Sequence, residues 1–270
     1  MRPIVTLSTH LGAGRYPAQI KANILSLCSE ANVVDVTHEL VPGDLVGAAY
    51  LLRDVVPRFP PGTVHVVVAD AGLGAKNRGV AVAAGPAASG HFLVGSDNGV
   101  LSEFAQGGET RLLNDANFQG TPVSQVFHGR DIYAPAAGHL LNGFPFEHLG
   151  PSVLDPQLLR LPEPVVMSGS VVGEVLYTDR FGNIVTNIER HHLPVAPSER
   201  LRFEIAGMRV QRLSNSYADV RVGDLVALIG VTGRLEIAER EGNAAQRLNL
   251  AHPRGTRLSV SVGSPSYLDR

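Results

Sequence analysis

The sequence predicts an α/β N-terminal domain with a mainly parallel central sheet, spanning 1–160, and a smaller, mostly β C-terminal domain, spanning 161–270. Three observations predict this. The first half alternates short apolar runs with stretches of helical apolar spacing, the order expected of strand–helix–strand units. The run Val64-His65-Val66-Val67-Val68 is almost continuously apolar, as in a strand buried on both faces of a parallel sheet. From about Ser170 the pattern changes to short strands parted by turn residues.

In chain order, 4–7 is a strand. Residues 16–29 place Ile20, Ile24 and Leu27 at helical spacing, and 33–36 is a second strand. Residues 44–56 carry Leu45, Ala48, Ala49, Leu52 and Val55 on one helical face. The cluster Phe59-Pro60-Pro61-Gly62 breaks that helix before the strand at 64–68. A strand pair follows at 80–84 and 91–94, around a Gly-Pro-Ala loop. Asp131 is placed to cap a helix running through Leu141, with Pro135 in its first turn, where a missing N–H costs little. The stretch 154–164, rich in Pro and Leu, is the expected linker. Strands are then expected at 170–178, 184–188, 201–205, 209–213, 225–229, 235–238 and 257–262.

Composition bounds the function. Hydrophobic residues make up 44% and charged residues 18%, enough to bury a core. A net charge of −2 leaves no basic footprint, so nucleic acid is not an expected partner. No apolar run approaches the roughly 20 residues of a membrane span, and no membrane partner is expected. No signal-peptide pattern is visible at the start, and cytoplasmic residence is the expectation. The single cysteine, Cys28, fits a reducing compartment and sits as core filler.

Familiar chemical motifs are missing. Gly12-Ala13-Gly14-Arg15-Tyr16-Pro17 has Pro where a dinucleotide fingerprint needs Gly. Gly72-Leu73-Gly74-Ala75-Lys76 lacks the spacing and Ser/Thr of a phosphate-binding loop. Gly95-Ser96-Asp97-Asn98-Gly99 is not a nucleophile elbow, and no metal-ligand spacing occurs among the ten His, so no metal is expected. Instead, polar residues collect in loops at the ends of the parallel-type strands, where such sheets bind ligands. These loops are Ser8-Thr9-His10-Leu11-Gly12, Asp70-Ala71-Gly72-Leu73-Gly74 and Phe127-His128-Gly129-Arg130-Asp131. From pattern alone, Asp70 is either a site carboxylate or a turn cap. His128 is either a site base or a satisfied loop histidine, and Arg130-Asp131 reads as a local ion pair.

In these segments the chain resembles the SAM hydroxide adenosyltransferase family, the S-adenosylmethionine (SAM) hydrolases related to the fluorinase and chlorinase enzymes. The matching stretches include Asp35-Val36-Thr37-His38-Glu39-Leu40, the run from Phe59 to Gly74, Asp97-Asn98-Gly99-Val100-Leu101-Ser102, and Phe127-His128-Gly129-Arg130-Asp131-Ile132-Tyr133-Ala134-Pro135. Asp179-Arg180-Phe181-Gly182-Asn183-Ile184-Val185-Thr186-Asn187-Ile188 and Leu235-Glu236-Ile237-Ala238 with Gly242-Asn243-Ala244-Ala245 complete them, in order over nearly the whole chain. The resemblance implies hydrolysis of SAM to adenosine and L-methionine, with SAM as substrate and no cofactor. It also implies a homotrimer whose sites lie between the N-domain of one subunit and the C-domain of its neighbour. It places Asp70 and His128 at the attacking water, Asp179 at the methionine ammonium, and Phe127, Phe181 and Asn183 among the ligand-binding residues, the last two at the adenine. Gly129 stands where the fluorinase carries a Ser that helps hold halide, and the loop at 84–90 is short where the fluorinase has an insertion. Both features favour hydrolysis over halogenation.

Three positions depart from the family pattern. His10 replaces an Asp that holds both ribose hydroxyls, although an imidazole offers at most one acceptor. The Arg of the water-handling set falls on Asn77, leaving adjacent Arg78 as its candidate substitute. A Ser near the methionine end falls on Val231, beside Thr232, in Gly230-Val231-Thr232-Gly233.

Overall fold

The computed structural model describes residues 2–70, 78–251 and 253–263. The chain divides into two compact units, Met1–Arg160 and Leu161–Arg270. In the first, β1 (Ile4–Thr9), α1 (Arg15–Leu27), β2 (Asn32–Thr37), α2 (Leu45–Val55) and β3 (Val64–Val68) are followed by β4 (Gly79–Ala83) and β5 (Phe92–Ser96). α3 (Ser102–Ala105), β6 (Glu109–Leu112) and α4 (Ala134–Leu141) complete it. The sheet order is β2-β1-β3-β5-β4-β6. β2, β1, β3 and β5 run parallel, while β4 is antiparallel to both β5 and β6. The short link between β4 and β5 permits only an antiparallel return, whereas the helical crossovers α1 and α2 make their flanking strands parallel.

Both faces of this sheet are covered. One face packs Val5, Leu7, Val66 and Val94 against Ile20 and Ile24 of α1 and Ala134 and Ala137 of α4. The other packs Val67, Val80, Val82 and Leu93 against Ala48 and Leu52 of α2 and Phe104 of α3. That double covering is why all of β3 is buried. α2 starts where Asp44 accepts a hydrogen bond from the Gly47 N–H at 2.7 Å, an N-cap that satisfies one orphan donor. Cys28, 5% exposed, closes α1 and fills the core beside it.

The helix at the Phe127–Asp131 segment differs from expectation. Asp131 is not its cap. A π turn, Gly129–Tyr133, precedes α4 and places Asp131 inside the helical run. The Asp131 carboxylate is satisfied there by the Ser124 N–H at 2.8 Å and by Arg130, so it has no need of a helix terminus.

The second unit contains β7 (Val165–Met167), β8 (Ser170–Thr178), β9 (Ile184–Glu189), β10 (Leu201–Ile205), β11 (Met208–Val210) and β12 (Leu213–Ser214). β13 (Leu225–Ile229), β14 (Arg234–Glu239), α5 (Ala244–Arg247) and β15 (Arg257–Val262) follow. Its strands form one path, β11-β10-β15-β8-β9-β14-β13-β12, with β7 added on β8. Pairing is antiparallel except between β12 and β13. Val171, Ile184, Phe203, Ile237 and Val260 meet in its core. The single strand expected at 209–213 is two short ones. Among the described residues, no helix is long and apolar enough to cross a membrane.

Candidate active site

Parallel β1, β3 and β5 end on one edge of the first sheet, and the loops leaving that edge carry the polar residues. The Val68 carbonyl at the end of β3 accepts from both the His10 N–H (3.1 Å) and His10 Nδ1 (2.8 Å). A carbonyl can only accept, so Nδ1 carries the ring proton and a neutral His10 presents Nε2 as its one acceptor. Asp70, half-buried, follows β3 by two residues. The β5 loop is tied beside it by the Asn98 side-chain amide, which donates to the Ala69 carbonyl at 2.7 Å.

The π turn lies against this same strand end. A Cβ at buried Gly129 would come within 2.9 Å of Val68 Cγ2 and 3.3 Å of Ile20 Cδ1. Glycine therefore lets the backbone carrying His128 seat on β3, close in the fold to Asp70. π turns of this kind occur frequently at functional sites. Phe127 meets Tyr16 edge-on at 5.6 Å and lies 5.1 Å from the Arg130 guanidinium. Arg130 grips Asp131 through Nε and Nη2 at 2.5 and 2.8 Å. Burial alone would raise the Asp131 carboxyl, but the Arg130 and Ser124 donors hold it below the usual range. This pair is structural.

Arg78 is equally committed. Its Nε donates to Asp97 at 2.6 Å, and its Nη2 donates to the Asp155 carboxylate and carbonyl at 3.0 and 2.9 Å. Asp97, 4% exposed, also accepts from the Gln157 N–H at 2.8 Å. Arg78 thus fastens 155–157 to the sheet edge, and any contact with a reacting water requires exchange of one of these bonds. Asn77 lies outside the described residues.

In the second unit, Asp179 organises the turn between β8 and β9. Its carboxylate accepts from the Phe181 N–H, the Asn183 N–H and the Asn183 amide at 2.8, 2.9 and 2.9 Å. Phe181 projects outward, 62% exposed, and Asn183 is buried. The turn borders a cavity of about 450 Å³ lined by Thr178, Asp179, Gly182, Asn243 and Gln246 among others. In the β13–β14 turn, Val231 is fully displayed, while the buried Thr232 hydroxyl has no hydrogen-bond partner among the described residues. Among the described residues, no group of three or more His, Cys, Asp or Glu side chains is placed to hold a metal ion.

The model of the SAM hydroxide adenosyltransferase N-terminal domain matches residues 5–150, and that of the C-terminal domain matches 173–255. The chain belongs to the SAM hydroxide adenosyltransferase family. It is 35% identical to the (R)-S-adenosyl-L-methionine hydrolase of Salinispora tropica over 97% of this chain and 98% of that one. It is 36% identical to the enzyme of the same name from Thermus thermophilus, over 96% and 100%. A fluorinase from Actinoplanes is more distant, 28% identical over 96% of each chain. A solved structure of an uncharacterized conserved protein from Thermotoga maritima superposes with a TM-score of 0.86 at 32% identity, covering 96% of this chain and 99% of that one.

Two polar residues of this family member carry no assignment from sequence pattern. Glu236 lies in the middle of β14, 5% exposed, and accepts from the Tyr217 hydroxyl at 3.0 Å. Burial, then the charge of Asp179, raises the Glu236 carboxyl, against the pull of the Tyr217 hydrogen bond. Burial and the same hydrogen bond push the Tyr217 phenol up to about 12. A charge within the apolar run Leu235-Glu236-Ile237-Ala238 is the only signal that could have drawn notice to this pair.

Proposed function

We propose that this protein hydrolyses SAM to adenosine and L-methionine, and that the (R) sulfonium epimer named for its relatives is the preferred substrate. The observation that carries this reading is the seating of the His128-Gly129 backbone on the end of β3, next to Asp70, in a family member similar over its full length to enzymes named for this activity. Water attacks the ribose C5′, the C5′–S bond breaks toward sulfur, and methionine leaves as a neutral thioether. Asp70 and His128 orient the water and receive its proton. Much of the rate comes from holding oxygen, C5′ and sulfur in line. Attack by an anionic oxygen on a sulfonium annihilates charge, so a dry site favours it. Such a leaving group needs neither metal nor organic cofactor.

His10 Nε2 holds one ribose hydroxyl. Asp179 faces the methionine ammonium, Phe181 and Asn183 face the adenine, and Thr232 lies at the methionine end. The catalytic form is a cytoplasmic homotrimer with sites completed between subunits, which light scattering in solution tests. Gly129 speaks against halogenation, because a Ser there would press on Val68. The purified chain, supplied separately with (R)- and (S)-SAM, should release adenosine and methionine in equal amounts. Absence of adenosine above the background without enzyme removes the assignment. A second reading, a nucleoside-binding protein with little turnover, is favoured by His10 and by the engagement of Arg78. Tight binding of adenosine without release of methionine would select it.

A further inference from the structure

The β1–β2 pair is irregular at the edge that carries His10. Leu7 pairs with Asp35, but Ser8 pairs with Thr37, so Val36 is an extra residue on β2. Such bulges are rare between parallel strands, and beside active sites they re-aim a side chain. Past this one, His38 meets the end of β1. Its Nδ1 lies 3.0 Å from the Thr9 hydroxyl, and its Nε2 lies 3.2 Å from Asp35 Oδ1. The other Asp35 oxygen accepts from Lys21 at 2.6 Å. A carboxylate can only accept, which favours the ring proton on Nε2 and leaves Nδ1 to accept the Thr9 O–H. Thr9 is 0% exposed, and its side-chain oxygen also accepts from the Leu11 N–H at 3.3 Å. The main chain joins the same two segments. The Gly12 N–H donates to the His38 carbonyl at 2.8 Å, and the Leu40 N–H donates to the Thr9 carbonyl at 3.0 Å. The residues on both sides of His10 are thus fastened to His38.

We propose that His38 is a positioning residue: through Thr9 and Leu11 it fixes the loop from which His10 presents Nε2 to the ribose. This rests on the ribose contact and the hydrolytic function proposed above. Asp35 sets the ring proton, the ring sets the Thr9 hydroxyl, and Thr9 sets the Leu11 N–H. His10 itself is held only by the Val68 carbonyl, which takes both its N–H and its Nδ1. Two bonds to one oxygen leave a pivot, and the Thr9–His38 contact removes it. The need for this is greater here than with a carboxylate at position 10. A carboxylate has two oxygens to offer, whereas the imidazole has one acceptor whose hydrogen bond weakens steeply as its geometry slips.

His38→Leu and Thr9→Val, each in the full chain, test this. The first removes the ring nitrogens, and the second removes the hydroxyl with little change of shape. The quantity read is KM for the 2′-deoxy and 3′-deoxy forms of SAM relative to KM for SAM. In the wild type one of the two forms should carry a penalty of about fivefold. In either variant KM for SAM should rise toward that of the penalised form, and the penalty should shrink below about twofold. His38→Asn, whose Oδ1 takes the place of Nδ1, should keep the wild-type penalty. A purely structural role would lower Tm and leave the penalty as it was. A penalty retained in folded His38→Leu or Thr9→Val overturns the proposal, as does its loss in His38→Asn or its absence from the wild type. If His38→Leu does not fold, Thr9→Val and His38→Asn decide. If the wild type releases no adenosine, the hydrolytic function fails separately. Calorimetric binding of adenosine, 2′-deoxyadenosine and 3′-deoxyadenosine then reads the same penalty, with the same outcomes for and against.

Discussion

Mild acid should destabilise the first unit through His65. This side chain is 1% exposed on β3. Its Nδ1 is 2.8 Å from the Thr6 hydroxyl and its Nε2 is 3.1 Å from His91 Nδ1. Burial, followed by the charge His91 would carry, lowers its titration from 6.5 to about 3. A histidine with a lowered folded-state value binds its proton only after unfolding. Its contribution is thus intact above 6.5 and drains away as the pH falls from 6.5 toward 3. At about pH 5 the gap of about 1.5 units, at about 1.36 kcal/mol each, amounts to a loss of about 2 kcal/mol. That is a large part of the 5–15 kcal/mol typical of a domain. Burial shifts His91 in the same direction, so the total loss exceeds this figure. Urea denaturation of the wild type and of His65→Gln at about pH 7.5 and about pH 5 measures the His65 share. The glutamine keeps hydrogen-bonding capacity without the titration. It should be less stable at the higher pH but lose about 2 kcal/mol less between the two conditions. Equal losses in both proteins would refute the reasoning.

Other expectations concern the sites. His10 offers one acceptor, so of the 2′-deoxy and 3′-deoxy forms of SAM one should keep the parent KM and the other should lose about fivefold; large, equal losses with both would show that another group shares the ribose. Gly129→Ser should lower stability by about 1–3 kcal/mol through crowding of Val68, seen as a drop in Tm, and should yield no 5′-halo product with chloride or fluoride. Glu236→Gln should raise Tm at neutral pH, because a buried carboxyl with a raised value opposes folding once ionised; the gain should shrink as acid protonates the wild-type side chain, and a gain independent of pH would assign it to packing instead.

The parts of the fold legible in the sequence are those where burial writes a period. β3 reads as a five-residue apolar run because both faces are covered, β13 is a second such run between turns, and the ranges of β8, β10 and β15 follow from alternation between turns. β6 and β7 leave no such trace: β6 is a four-residue edge strand, and all three residues of β7 face outward. The π turn is illegible because its extra residue is set by Asp131 reaching Ser124, a contact outside the helix's own pattern. The Tyr217–Glu236 pair joins residues 19 apart in sequence, and no local rule connects them.

The polar groups at the β3 edge fall into two sets, and the difference bears on the chemistry. His10 Nδ1, Arg78, Asp97, Arg130 and Asp131 are bound to backbone or to one another, and their bonds fix the loops in place. Among the described residues no hydrogen bond engages the Asp70 carboxylate or the His128 ring. Hydrolysis of a sulfonium needs proton acceptors and a donor to orient the water, and it needs no fixed cation, because the substrate brings its own positive charge. In the proposed reaction Asp70 and His128 are the acceptors. The family resemblance puts an Arg at the position of Asn77, and Arg78 is held by two carboxylates. Because the substrate carries its own positive charge, the proposed reaction does not depend on that Arg, and Asn77 in its place is compatible with turnover.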